Sequence, residues 1–174
     1  APRLAFDETG SLSDIQFPAI NTIVKPFKKS LPVPPAPENP TPDEEFPWGV
    51  ARVNAPAAWA STKGQGVKVG IIDTGIDYDH KDLKANIVGG WNATDKEKAN
   101  DFKDDNGHGS HVAGTVAALD DKTGVVGVAP SVALYGIKVL DANGSGTFSD
   151  VIAGMEWCVT NKMQVANMSL GASR

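Results

Sequence analysis

Asp73, His108 and His111 are the residues whose types and spacing best suit proton transfer. Asp73 closes the apolar run "VGIID" and is followed at once by Thr74 and Gly75, which turn the chain. A carboxylate in that setting serves one of two chemistries. It can share a proton with a second carboxylate and activate water, or it can hold an imidazole beside a nucleophile. The first needs a second Asp-Thr-Gly, and the 174 residues contain only one, so a homodimer would have to supply the other. The histidines stand at i and i+3 in "NGHGSHVAGT". That spacing occurs in zinc sites, but neither Cys158 nor His80 is obviously placed to give the third ligand. The alternative is that one of the pair is a general base, since histidine changes charge near neutral pH. Gly107 and Gly109 flank His108 and would let the backbone approach a substrate closely. The base needs an acceptor to orient its ring, and Asp73 is the obvious candidate.

The elements that must position these groups alternate. "VKVGIID" (67–73) is an apolar run of strand length, "ANIVGGWN" (85–92) a weaker second strand, "VALYGIKVL" (132–140) a third and "VANMSL" (165–170) a fourth. Residues 107–119 place Val112, Thr115, Val116 and Leu119 at helical spacing after an Asp-Asp-Asn-Gly start signal. Residues 147–162 read as a second helix, with Ser149 as its expected N-cap. Strands alternating with helices predict an α/β fold, a mostly parallel sheet flanked by helices. Sites in such sheets lie beyond the carboxyl ends of the strands, where Asp73 and Ser169 both fall.

Composition separates an N-terminal arm, 1–45, from the alternating part, 46–174. Ten of the twelve prolines lie at or before Pro47, and "LPVPPAPENPTP" predicts an extended, polyproline-like segment. Earlier in the arm, "FPAINTIVKPF" could form a short strand or pack on the surface. The arm is expected to be a linker or a trimmed pro-region. The net charge of −5 and the dispersed basic residues give no footprint for nucleic acid. No apolar run approaches the roughly 20 residues of a membrane helix, and the first residues lack the pattern of a signal peptide. The single cysteine, Cys158, cannot form an internal disulfide and is expected to be a buried structural thiol.

Taken in order, "VKVGIIDTGID", "NGHGSHVAGTVAA", "VGVAP", "LYGIKVLDANGSG" and "NMSLG" resemble the N-terminal part of a subtilisin-like serine protease, a subtilase, from about Trp48 to Gly171. The resemblance implies the three-layer subtilisin-like fold, of which this chain supplies the N-terminal portion. It makes Asp73 the triad aspartate and His108 the base, with His111 a helix residue that packs or hydrogen-bonds. It also implies that Gly144, Ser145 and Gly146, with Ser169, Leu170 and Gly171, line a cleft for a polypeptide substrate. Both segments offer backbone donors and acceptors beside small side chains, so an extended peptide can insert between them as an added strand.

The same resemblance implies a calcium loop within "ALDDKTGVVGV" (118–128). Its ligands would be the side chains of Asp82 and Asp121 and the carbonyls of Leu119, Thr123 and Val125, with Glu44 contributing from the arm. The acidic stretch 94–105 could hold a second, weaker ion or be a plain surface loop. The family's nucleophile lies in Gly-Thr-Ser-Met-Ala and its oxyanion asparagine in Ala-Gly-Asn, and neither motif occurs in these residues. Ser110, Ser145 and Ser169 do not match the nucleophile's setting. The expectation is therefore a secreted, calcium-stabilised endopeptidase whose serine comes from elsewhere, in a second chain of a nicked enzyme, with a truncated, inactive fragment as the competing explanation. This chain alone is expected to be inactive. The alternatives are a non-catalytic, peptide-binding relative, or a zinc hydrolase using His108 and His111.

Overall fold

The computed structural model describes residues 23–26 and 44–172. The proline-dense stretch 32–42 and the last two residues lie outside the described residues. In chain order the elements are β1 (Ile23–Pro26), α1 (Trp48–Arg52), α2 (Ala55–Trp59), β2 (Lys68–Asp73), β3 (Ile87–Asn92), α3 (His108–Ala117), β4 (Ala133–Lys138), β5 (Gly146–Thr147), α4 (Phe148–Thr160), β6 (Val165–Asn167) and β7 (Leu170–Gly171). The strand "VANMSL" thus divides. Its first half pairs with β2, and its end, as β7, enters a different sheet.

The main sheet is parallel throughout, in the order β3-β4-β2-β6. A parallel sheet must be covered on both faces, and β2 carries the consequence in its sequence as an unbroken apolar run rather than an alternation. Its side chains divide between two cores. Ile71 joins Val69, Ile76, Leu134, Ala113 and Ala117 on the α3 side. Ile72 joins Ile137, Val139, Val151 and Cys158 on the α4 side. Ile71, Ile72, Leu134 and Ile137 have no exposed surface, and burying each such side chain stabilises the fold by roughly 1.5–3 kcal/mol. The result is the three-layer α/β arrangement expected from the alternating pattern.

Each long helix presents a narrow, small-residue face to the sheet. In α3 the buried residues are Gly109, Ala113 and Ala117, and in α4 they are Val151, Gly154 and Cys158. The N-cap of α4 is Thr147 rather than Ser149. Thr147 Oγ1 accepts from the Asp150 amide at 3.1 Å, and Asp150 Oδ2 accepts in return from the Thr147 hydroxyl and amide. This reciprocal box satisfies two amides at once, whereas Ser149 satisfies none.

The remaining strands form a small antiparallel sheet, β5-β1-β7, with the arm's strand at its centre. Ile23 and Val24 pair with Thr147 and Gly146, while Lys25 and Pro26 pair with Gly171 and Leu170. The short strand foreseen in "FPAINTIVKPF" therefore forms, and it lies between the two segments expected to line a cleft.

Cys158 is buried against the sheet, and burial pushes its thiol up to about 11. A thiol so rarely ionised and so little exposed reacts slowly. We expect no modification of the folded protein by a thiol reagent over minutes and full reaction in denaturant. Labelling of the native protein at the rate of a free thiol would contradict the structural reading.

Candidate active site

Asp73 is the last residue of β2 and has no exposed surface. His108 is the first residue of α3, and its Nδ1 lies 2.8 Å from Asp73 Oδ1. The same Asp73 oxygen accepts the Thr74 amide at 2.7 Å. A buried carboxylate demands a partner, and the imidazole is the side chain that answers it. Donation from Nδ1 to the carboxylate fixes the tautomer and leaves Nε2 as the nitrogen free to accept a proton.

The approach of helix to strand end is held by a second carboxylate. Asp104 Oδ1 accepts from the Thr74 hydroxyl at 2.8 Å and from the amides of Asn106 and Gly107 at 3.0 and 2.9 Å. Asp104 Oδ2 accepts from the Ser110 amide and hydroxyl at 2.8 and 2.6 Å. Thr74 Oγ1 in turn accepts from the Gly109 amide at 2.9 Å. Gly109 must be glycine here, because a Cβ would collide with the Gly75 carbonyl. Burial alone would raise the Asp104 carboxyl, but the hydrogen bonds from Ser110, Gly107 and Asn106 outweigh it and hold the group below the ordinary aspartate value.

Leu170 and Gly171 form β7 and Gly146 begins β5, so three of the six expected cleft residues lie in strands flanking β1. Gly144 and Ser145 sit in the turn before β5, where the Ser145 carbonyl accepts the Asp141 amide at 2.8 Å. Ser169 precedes β7, and its hydroxyl accepts from the Asn167 side chain at 2.9 Å. Ser110 is fully engaged, donating to Asp104 and accepting the Asp77 amide at 2.8 Å. None of these three hydroxyls is paired with His108.

The loop after α3 wraps onto Asp82. Asp82 Oδ2 accepts the Val125 amide at 3.0 Å, while Oδ1 is buried without a hydrogen-bond partner among the described residues. Gly124 is required beside it, at φ 72°, because any Cβ would strike the carboxylate. Asp121 Oδ1 accepts from the amide and hydroxyl of Thr123 at 3.0 and 2.7 Å, and Glu44 Oε1 accepts the Asp121 amide at 2.9 Å. Among the described residues no three acidic, histidine or cysteine side chains converge as a metal-binding group. An ion here would depend largely on main-chain carbonyls, which suits calcium and not zinc. The orphaned Asp82 oxygen fits such an ion. The two histidines of "HGSH" separate: His108 turns to Asp73, and His111 lines a cavity of about 580 Å³ with His80 and Leu83.

A model of the subtilase family matches residues 64–174. The chain belongs to the subtilase family. It is 51% identical over 129 residues to an intracellular serine protease of Paenibacillus polymyxa, covering 73% of this chain and 40% of that one. It is 55% identical over 129 residues to subtilisin DY of Bacillus licheniformis, covering 74% of this chain and 46% of the other. Subtilisin Savinase of Lederbergia lenta is 52% identical over 130 residues, again 74% of this chain and 46% of its own. The chain thus spans about half the length of the curated relatives it matches, and it carries the N-terminal portion of the subtilase fold.

Two groups escaped the reading of the sequence. Asp104 reads in the sequence as part of a helix-start signal and of the acidic stretch 94–105, although its acidic type at that place is the cue for an amide-capping side chain. Lys138 sits inside the apolar run "LYGIKVL", and a lysine within such a run is itself the cue. Asp104 leads to a prediction. Its carboxyl is depressed in the folded state, so its contribution to stability is complete above the ordinary aspartate value near about 3.9 and is lost as pH falls through the lower folded value. Asp104→Asn should cost about 1–2 kcal/mol at pH 7, discounted for a partly exposed group, and less near pH 3. Denaturant titrations at both pH values check this, and equal losses at the two would contradict it.

Proposed function

We propose that the protein is a serine endopeptidase in which Asp73 orients His108 and His108 Nε2 takes the proton from a serine hydroxyl. The observation that carries the proposal is the 2.8 Å contact between a fully buried carboxylate and the His108 ring. Asp73 would stabilise the imidazolium formed as the hydroxyl attacks a peptide carbonyl, and His108 would then return the proton to the leaving amine. The aspartic-protease alternative is disfavoured, since Asp73 faces an imidazole rather than a second carboxylate. The serine and the oxyanion asparagine would come from a segment outside these residues. Exposed Val165 on the outer strand β6, with Met168 just beyond its end, suits a sheet that continues into such a segment.

The substrate would be an extended polypeptide added as a strand between Gly144–Gly146 and Ser169–Gly171. The arm's strand β1 lies between β5 and β7 and pairs with both, so it occupies the path proposed for that peptide. On this reading the arm is a peptide held in the enzyme's own cleft. Calcium is proposed at the loop around Asp82, with Asp121, Glu44 and the carbonyls of Leu119, Thr123 and Val125. It would tie the loop to the residues preceding α1. No described helix is long and apolar enough to cross a membrane. Secretion remains a proposal drawn from the family resemblance, and the similar protein named as intracellular shows that secretion is not general among the relatives.

The test of activity uses the assembled, full-length enzyme. A serine-directed sulfonyl fluoride should abolish peptide hydrolysis, and Asp73→Asn should lower kcat by about 10^4, the size known for a triad aspartate turned to asparagine. Resistance to the reagent together with inhibition by a pepstatin-type compound would overturn the proposal. The metal is tested separately. Chelator should lower the melting temperature and added calcium should restore it, with the ligand stabilising by about 4 kcal/mol at a thousandfold excess over Kd. A melting temperature indifferent to chelator would remove the ion.

A further inference from the structure

Lys138 is buried, 5% exposed, at the end of β4, directly across the register from Asp73. A buried ammonium is costly unless all its protons are taken up, and it has three. Each finds one acceptor: the Thr74 carbonyl at 2.8 Å, the Leu140 carbonyl at 3.0 Å and Asp105 Oδ1 at 2.6 Å. These acceptors belong to three pieces of the site. Thr74 follows Asp73 and carries both the amide bonded to the Asp73 carboxylate and the hydroxyl bonded to Gly109. Leu140 opens the segment that runs through Asp141 to the turn at Gly144–Gly146. Asp105 lies in the turn that delivers His108.

We propose that Lys138 is a positioning residue that locks the Asp73 strand end to the cleft wall, with the two carbonyls as the essential contacts and Asp105 as a counter-charge at the rim. The side chain of Asp105 is 51% exposed against 6% for Lys138, so water can replace that carboxylate but not the carbonyls. The strand end itself is narrow: the amides of Val139 and Leu140 both donate to the Asp73 carbonyl, at 2.9 and 3.2 Å. Without the ammonium, the carbonyls of Thr74 and Leu140 would face each other with nothing between them. The segment after Leu140 would then shift relative to Asp73, and displacements near 1 Å in such sites cost on the order of 10^2 in rate.

The proposal rests on the protease reading for its kinetic arm, so a second arm is independent of hydrolysis. In the full-length protein, Lys138→Met keeps most of the volume and removes all three donors, whereas Asp105→Asn leaves the ammonium on its carbonyls. For Lys138→Met we expect kcat to fall 10- to 100-fold under conditions where the protein stays folded. Amide hydrogen exchange should speed at least tenfold at Leu140 and Asp141. Asp105→Asn should stay within about threefold of the unchanged protein in both. Equal effects of the two substitutions would overturn the proposal in favour of a simple ion pair. A lowered melting temperature with unchanged kcat and unchanged local exchange would overturn it in favour of a merely structural lysine. An unchanged protein that fails to hydrolyse any peptide sinks the protease reading, and the exchange measurement then still decides the role of Lys138.

Discussion

A carboxyl group with no exposed surface is costly in a folded chain unless its oxygens find hydrogen-bond donors, and in this protein the side-chain donor comes from another secondary-structure element. Asp73 ends β2, and His108 begins α3, 35 residues later. The contact exists only if the helix start is brought to the strand end without a gap. Gly109 removes the side chain that would hold them apart, and Thr74 bridges them by donating to Asp104 and accepting from Gly109. Asp104 adds the acceptors that the first turn of a helix leaves wanting, and the helix dipole favours its negative charge there.

The parallel sheet makes this economical. Its strands end on one side, so Asp73 on β2, Lys138 on β4 and the chain leaving β6 toward β7 are delivered to a common rim. The two isoleucines before Asp73 anchor the strand to opposite cores, Ile71 toward α3 and Ile72 toward α4. A shift of register by one residue would exchange them and carry Asp73 away from the rim, so packing and site geometry are specified together. β5 and β7 depend on the same rim, since they continue from chain that leaves β4 and β6. On the proposed reading, the arm's strand between them shows the shape and direction of chain that the cleft accepts.

Much of this was legible beforehand because the relevant signals are local. A strand-length apolar run ending in Asp-Thr-Gly locates Asp73, and glycines around a histidine pair at a helix start locate His108 and His111, between which the family resemblance chooses His108. Pairing Asp73 with His108 required only that both lie at the sheet's carboxyl rim. What stayed hidden depended on contacts between distant segments. Lys138 looks like an interruption of an apolar strand until the carbonyls of Thr74 and Leu140 converge on it. Ser149 is as good a cap by type as Thr147, and the choice falls to the residue whose partner three positions on is Asp150. "VANMSL" reads as one strand, but its two halves pair with different sheets. The strand in the arm was foreseen as a possibility, yet its place between β5 and β7 follows from pairing with segments more than 120 residues away.

The most direct test is nitrogen-15 NMR of the His108 ring in the full-length protein at neutral pH. The account predicts a proton resident on Nδ1, a hydrogen-bonded resonance far downfield, and loss of that resonance in Asp73→Ala. A neutral ring protonated on Nε2, with spectra indifferent to Asp73→Ala, would contradict it.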